Sequence, residues 1–507
     1  QPPYRIERGR LSTKCCGFPA LDGSAGALTG AAAVAAISIG AAAPAAAQYY
    51  PGGGYGGGYS GEELGAGLNK ATWSEADLVP FEKNFYKEDP RVTERSDEQV
   101  AEFRRAKEIT LRGSNVPKPV MTFDETGYPD YIMREINKLG FTEPSPIQSQ
   151  AWPLAMSGRD LVAIAETGSG KTIGFALPSF VHIKAQPPLQ YGDGPIALIL
   201  APTRELAQQI EVEAHKLARQ LGGVRVVSIV GGRDLGEQAH WLGEGADMVI
   251  ATPGRLQDCL ERHMLVLTQC RFLVLDEADR MIDMNYEDAL HAILDCLPAQ
   301  RTTMLYSATM PPTVDRMART YLQQPLTIVI GQAGQAVGTV EQRVEMIHSE
   351  AERLQGTLQA LDSGLAPPMM VFVNQKANAD VVGRELRRAG WHVAILHSGL
   401  SQPQREAAIA SVREGVNEIL CCTDIGARGL DLPNVSLVVN YQFPTQFASY
   451  IHRIGRTGRA GRRGCAVSMV GDDDAEHFYA LRLELAKSPV STVPAFLAQH
   501  PAAMAST

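Results

Sequence analysis

Along most of the chain, short apolar runs alternate with longer amphipathic stretches. The runs LVAIA (161–165), ALILA (197–201), VRVVSIV (224–230), DMVIA (247–251), FLVLD (272–276) and TMLYS (303–307) are too short for buried helices. Their nearly continuous apolar character predicts strands covered on both faces. A second series follows, VEMIHS, MMVFVN, HVAILHS, EILCCTD, SLVVNY and CAVSMV, with the same strand–helix rhythm. Between the two lies the polar stretch GQAGQAVGTVEQ (331–342), which reads as a hinge linker. The alternation predicts an α/β protein with two tandem domains, each a parallel sheet with helices on both faces. The expected divisions are a low-complexity tail (1–69), a flanking segment (70–120), a first domain (121–331), a linker (332–340), a second domain (341–490) and a C-terminal tail (491–507). Within the flank, SDEQVAEFRRAKEITLRG predicts one amphipathic helix.

Composition changes this picture mainly at the N-terminus. Residues 25–47 are uncharged but mostly Ala and Gly, with Leu28, Val34, Ile37 and Ile39 as the stronger apolar positions and a proline at Pro44. That gives weak lipid affinity, so no membrane span is expected. Low-complexity sequence is the expectation here. Arg5, Arg8, Arg10 and Lys14 upstream keep a targeting peptide open as the alternative. Residues 48–68 continue as a Gly/Tyr-rich tail, and the chain begins at Gln1, which leaves its true start open. Over its 507 residues the chain carries a net charge of −9, the wrong sign for binding nucleic acid through its overall field. Any such grip must be a local basic groove. Eight cysteines without a CxxC pair, two of them adjacent at Cys421–Cys422, read as buried free thiols.

Candidate chemistry starts after the first strand. Ala165-Glu166-Thr167-Gly168-Ser169-Gly170-Lys171-Thr172 is a Gly-rich turn opening a helix, where backbone N–H groups can converge on phosphate oxygens. Lys171 is expected to neutralise the β/γ-phosphates and the Thr172 hydroxyl to hold Mg²⁺. Ala165 stands where the general motif has Gly. This loop names a nucleotide ligand without naming the task. The strand FLVLD then ends in Asp276-Glu277-Ala278-Asp279, two acids at a strand tip about a hundred residues further on. Asp276 is expected to hold Mg²⁺, through water, and Glu277 to orient and deprotonate the attacking water.

With these residues in view, the chain is identified as similar to the DEAD-box ATP-dependent RNA helicases, whose motifs fall in order over residues 121–470. That resemblance implies two RecA-like domains, ATP and Mg²⁺ as cofactors, and RNA as partner. Gly140-Phe141-Thr142-Glu143-Pro144-Ser145-Pro146-Ile147-Gln148 resembles the family's adenine-reading segment, with its upstream aromatic at Phe123. Gln148 carries a donor and an acceptor suited to an adenine edge, and Phe141 offers a ring face. The resemblance places RNA contacts at Pro202, Thr203 and Arg204, at Gly231 and Gly232, and at Thr252, Pro253, Gly254 and Arg255. Ser307-Ala308-Thr309 would couple the acidic pair to movement of the second domain.

In the second domain the resemblance assigns RNA contacts to Asn374, Gln402, Arg405 and Thr423, and the ATP ribose to Asp431. Ser398 stands where the family usually has Gly. In His452-Arg453-Ile454-Gly455-Arg456-Thr457-Gly458-Arg459, Arg456 and Arg459 would act as fingers onto the γ-phosphate. The implied machine is a monomeric clamp that grips RNA by its backbone with little sequence preference, unpairs a few base pairs, and reopens on hydrolysis. Residues 70–190 look like nuclear members of ribosome assembly and mRNP remodelling. From about residue 195 the chain looks like spliceosomal members acting at the 5′ splice site. Spliceosomal or pre-ribosomal proteins are the expected partners, and the nucleus the expected compartment, with the cytoplasm or an organelle as alternatives. Two rival classes stay open: a DNA translocase, which shares the phosphate loop and the arginines, and a non-catalytic RNA-binding scaffold.

Overall fold

The structure is a computed structural model that describes residues 81–504, apart from Leu139, Phe141, Thr167, Tyr191, 332–338, Arg428, Gly429, Asp431 and 459–461. The expected tail at 1–69, with its targeting-peptide alternative, lies outside the described residues, as does most of the linker.

Eight strands form the first sheet: β1 (Ile109–Arg112), β2 (Leu161–Ile164), β3 (Ala197–Leu200), β4 (Val226–Ile229), β5 (Met248–Ala251), β6 (Phe272–Leu275), β7 (Thr302–Ser307) and β8 (Leu326–Ile330). Their order is β1-β8-β2-β7-β6-β3-β5-β4. Six strands form the second: β9 (Val340–Met346), β10 (Met369–Val373), β11 (Val393–Leu396), β12 (Ile419–Thr423), β13 (Leu437–Asn440) and β14 (Gly464–Val470), in the order β11-β12-β10-β13-β14-β9. All twelve strands read from the sequence are present. Successive residues of each strand serve opposite layers, as strand geometry demands. Leu161 and Ala163 join one apolar cluster while Val162 and Ile164 join the other. Met370 and Phe372 likewise separate from Met369 and Val371. Every described pairing is parallel except β1 with β8.

That exception corrects the helix expected over the flank. The helix runs Asp97–Ala106, capped by Ser96 and Gln99, and then breaks, with Glu108 at φ 53. Ile109–Arg112 continues as a strand paired antiparallel to Ile330–Thr327. The β-branched Ile109 and Thr110 favour that extended state once the left-handed Glu108 has ended the helix. The C-terminal tail carries structure of its own. Ala495–Gln499 and Pro501–Met504 are helical, and Leu497 and Ala503 are fully buried in a second-domain core. Their apolar residues have a face to pack against, which the short local sequence does not reveal.

The flank also packs on the back of the first domain. Phe85 N and Tyr86 N donate to Met156 O, and the Phe85 ring meets His182 edge-on at 4.9 Å. His182 is fully buried, with Nε2 against Ala155 O at 3.1 Å. Burial drives its pKa from 6.5 down to about 4, with the Ala155 contact pulling weakly the other way. The neutral ring therefore stabilises the fold fully above pH 6.5, and that stability is lost as pH falls through 4. The fall should cost about 2–3 kcal/mol by pH 4.5. Urea unfolding at pH 7.5 and 4.5 checks this: His182→Leu should show that much less pH dependence than the unsubstituted chain. Equal pH dependence would contradict it.

Candidate active site

Apart from Gly140–Gln148, which runs from the helix Asp130–Lys138 into the helix Pro146–Met156, every sequence-predicted segment of the first domain leaves the carboxyl end of a strand, where parallel α/β sheets gather their ligands. The phosphate loop follows β2, Pro202–Arg204 follow β3, Gly231–Gly232 follow β4 and Thr252–Arg255 follow β5. The acidic pair follows β6 and Ser307 ends β7. Gly168 and Gly170 take φ values of 86° and 90°, left-handed positions that glycine fills without strain. A Cβ at Gly170 would lie only 2.7 Å from Gln148 Nε2 and 2.8 Å from Ser145 Oγ. The helix Lys171–Ala185 then begins, and Lys171 Nζ curls back to donate to Ala165 O at 3.0 Å.

Gln148, read from the sequence as facing a base, is committed within the chain. Its Oε1 accepts from Ser145 N and its Nε2 donates to Gly170 O, both at 3.0 Å, so it ties the adenine-reading segment to the phosphate loop. Thr142 and Glu143 are exposed beside it, and Glu143 pairs with Lys107 of the flank at 2.9 Å. Ser169 Oγ donates to Glu166 O. Phe141 and Thr167 lie outside the described residues.

Asp276 and Glu277 are both buried. Glu277 stands at φ 53, a costly conformation for a residue with a side chain, and its N–H donates to Asp276 Oδ1 at 3.0 Å. Burial raises the Asp276 carboxyl to about 7, partly offset by Lys171 and reinforced by Glu277. The Thr172 hydroxyl and the Asp276 carboxylate are hard oxygen donors of the kind Mg²⁺ takes. Two buried carboxylates beside the Lys171 ammonium also fit added positive charge. Asp279 is the hub behind them. Its N–H donates to Ser307 Oγ at 3.2 Å, and its Oδ2 accepts from Thr309 N at 2.9 Å and Thr309 Oγ1 at 2.7 Å. From the second domain, His452 Nε2 reaches 3.7 Å from the same Oδ2.

The two domains share a cavity of about 880 Å³ whose lining includes Gly168, Gly170, Lys171, Thr172, Asp276 and Glu277 from the first and Arg456 from the second. Arg456 is held by donating Nε to His452 O at 3.2 Å and Nη1 to Leu430 O at 2.9 Å. The structure thus brings together, in one cavity, residues nearly three hundred positions apart. Arg459 and Asp431 lie outside the described residues.

The residues read as RNA contacts divide into two groups. In the first domain the Arg204 guanidinium lies against Gly231 and Gly232, and a Cβ at Gly232 would displace it. Burial lowers the Arg204 pKa, with Glu205 opposing and Arg405 and Arg255 adding to the fall. Arg255 Nη1 is buried without a hydrogen-bond partner among the described residues. Pro202, Thr203, Thr252 and Pro253 are buried, Thr203 Oγ1 accepts from Leu206 N, and Gly254 adjoins the Tyr286 ring.

In the second domain most of these side chains already have partners. Arg405 Nη2 bridges the domains to Glu205 Oε1 at 2.6 Å, both side chains nearly buried. Gln402 Nε2 donates to Glu406, and Thr423 Oγ1 accepts from Gly426 N. Asn374 Oδ1 accepts from Arg453 Nη2 at 2.7 Å, and its Nδ2 donates to Phe443 O at 2.8 Å. Asn374 N also donates, to Gln442 Oε1 at 2.9 Å, although the residue as a whole is exposed.

The sequence reading passed over Arg453, which is 1% exposed and the centre of this network. Its Nε and Nη2 fork onto Asp424 Oδ1 and Oδ2 at 2.7 and 2.6 Å, and Nη1 donates to Gln442 O at 2.7 Å. Its guanidinium also sits 5.2 Å from the Phe372 ring centre. The only sequence signal was an arginine one turn before the predicted fingers. The six cysteines among the described residues are free thiols, and burial pushes Cys421 up to about 12, out of reach of ready oxidation.

A two-domain nucleotide-cleft protein with this loop, acidic tip and facing arginine is defined by geometry alone, and comparison narrows the class. The DEAD/DEAH box helicase profile matches residues 145–317 and the helicase conserved C-terminal domain matches residues 352–461. The chain is 47% identical over 427 residues to the pre-mRNA-splicing ATP-dependent RNA helicase prp28 of Aspergillus clavatus, covering 79% of this chain and 53% of that protein. The Gibberella zeae protein of the same name is 47% identical over 424 residues, covering 78% and 59%. The chain therefore spans little more than half the length of these relatives. The solved structure of S. cerevisiae Dbp5 bound to RNA and ADP BeF3 is 30% identical with a TM-score of 0.63, covering 73% of this chain and 95% of that one. This chain belongs to the DEAD-box helicase family.

Proposed function

We propose that the chain is an RNA-stimulated ATPase that unpairs short RNA duplexes or remodels RNA–protein complexes, and that it works in pre-mRNA splicing in the nucleus. The observation that carries the reading is the shared cavity, in which Lys171, Asp276 and Glu277 face Arg456 of the other domain. Relatives named as splicing helicases run through both halves of the chain, which favours splicing over ribosome assembly. In this reading Lys171 and the loop amides hold the β/γ-phosphates, and Thr172 and Asp276 hold Mg²⁺, which supplies charge neutralisation. Phe141, Thr142, Glu143 and Gln148 serve the base, and Asp431 the ribose. Glu277 takes the proton of the attacking water as ATP becomes ADP and phosphate. Arg456 and Arg459 meet the charge that develops on the γ-phosphoryl group. Arg204, Arg255 and the amides at Gly231–Gly232 take RNA phosphates, with RNA backbone rather than base sequence as the ligand. Arg405 serves this arrangement by holding the domains together through Glu205.

Steady-state ATP hydrolysis without nucleic acid, with single-stranded RNA and with DNA of the same sequence tests this. RNA alone should stimulate strongly; equal stimulation by DNA would favour a translocase. Glu277→Gln should cut hydrolysis by about 10²–10⁴-fold, because the amide cannot accept the proton, yet keep RNA bound in the presence of ATP. Release of RNA by that variant as fast as by the unsubstituted chain would remove Glu277 from the role of base.

A further inference from the structure

The shared cavity extends away from the nucleoside end. Thr142, Glu143 and Gln148 do not line it; it runs from Lys171, Glu277 and Arg456 outward between two helices of different domains, Arg204–Leu221 and Gln402–Arg413. Its outer wall is formed by Gln209 and Val212 on one helix and Ala410 and Arg413 on the other. Val212 is 53% exposed and Ala410 and Arg413 are exposed, so this end meets solvent. The Arg405–Glu205 bridge joins the same two helices, so the gap stays bounded while the domains are together.

We propose that this gap is the route by which product phosphate leaves while ADP still occupies the closed cleft. The inference rests on the ATPase reading above. Phosphate released from the γ position lies at the Glu277–Arg456 end, and ADP blocks the way back past the loop. A path in line with the leaving phosphate lets it go before the domains part. The walls carry the Gln209 amide and the Arg413 guanidinium beside Glu414 and three acids engaged elsewhere: Glu205 meets Arg405 at 2.6 Å, Glu213 meets Lys216 at 2.6 Å, and Glu406 accepts from Gln402 at 3.0 Å. Val212 and Ala410 leave the passage open by being small.

The test narrows the passage from each wall separately in the full chain, with Val212→Trp and Ala410→Trp, and uses Val381→Trp, an exposed position on the helix Lys376–Arg388, as the control. With saturating single-stranded RNA, cleavage of γ-labelled ATP is followed by rapid quench and phosphate release by a fluorescent phosphate-binding protein. Cleavage should be unchanged in all three, while release slows about tenfold in the two narrowed variants only, making product release the limiting step. Unchanged release in both narrowed variants, or cleavage slowing in step with release, would overturn the route. No cleavage by the unsubstituted chain would refute the ATPase reading instead, a result distinct from either.

Discussion

Arg456→Ala is expected to lower RNA-stimulated ATP hydrolysis by about 10³–10⁵-fold, the range an arginine finger supplies, while changing ATP affinity little. The asymmetry follows from placement. Lys171, Thr172 and the loop amides belong to the first domain, whereas Arg456 approaches from the second. Charge that grows on the γ-phosphoryl group during reaction is met by Arg456, whereas ground-state binding is carried elsewhere, so the loss should fall on kcat rather than KM. Because Arg456 also donates to His452 O and Leu430 O, Arg456→Lys is the companion variant. It keeps a cation but not the fork, and should restore only a small part of the rate. Steady-state kinetics with RNA together with fluorescent ATP-analogue binding checks both. A tenfold loss or less in Arg456→Ala would remove it from the reaction.

Arg453→Ala should be the most damaging substitution for stability, at about 3–5 kcal/mol, the usual cost of breaking a buried ion pair on one side. The forked bonds to Asp424, the Asn374 amide and the Gln442 carbonyl all lose their donor at once. Lysine at this position cannot fork onto both Asp424 oxygens and should recover less than half of the loss. Hydrogen exchange of the full chain, read by mass spectrometry, separates the domains. Protection should fall across β10, β12 and β13 and stay intact in β2, β3 and β6. Uniform loss across both sheets, or no loss, would refute the assignment.

Much of the fold was legible because parallel strands are buried on both faces and announce themselves as continuous apolar runs. β1 escaped because its residues Ile109–Arg112 prolong the charged rhythm of the helix before them, and one face of the strand is exposed. β8, at five residues longer than β2, was passed over although Pro325 and the apolar run LTIVI mark it. The phosphate loop and the acidic tip were legible because their geometry is local: glycines at left-handed positions, a lysine opening a helix, acids at a strand end. The pairing of Arg405 with Glu205 was not, since two hundred residues separate them and only the meeting of two domains creates the contact. The partners of Gln148 within the chain were hidden for a related reason. A donor and an acceptor on one amide suit adenine, but they equally suit Ser145 N and Gly170 O, and sequence cannot rank those partners.

The antiparallel pairing of β1 with β8 bears on how the protein can be cut. In the order β1-β8-β2, the short flank strand occupies the free side of β8, the last strand before the linker. A truncation that begins at residue 121, where the helicase motifs start, would strip β1 away and leave the N–H and C=O groups of Leu326–Ile330 open. An apolar strand with an uncovered side is a template for pairing with another chain. Such a fragment should self-associate, whereas one beginning near residue 81 keeps its own shield, so the flank doubles as the first domain's guard against aggregation.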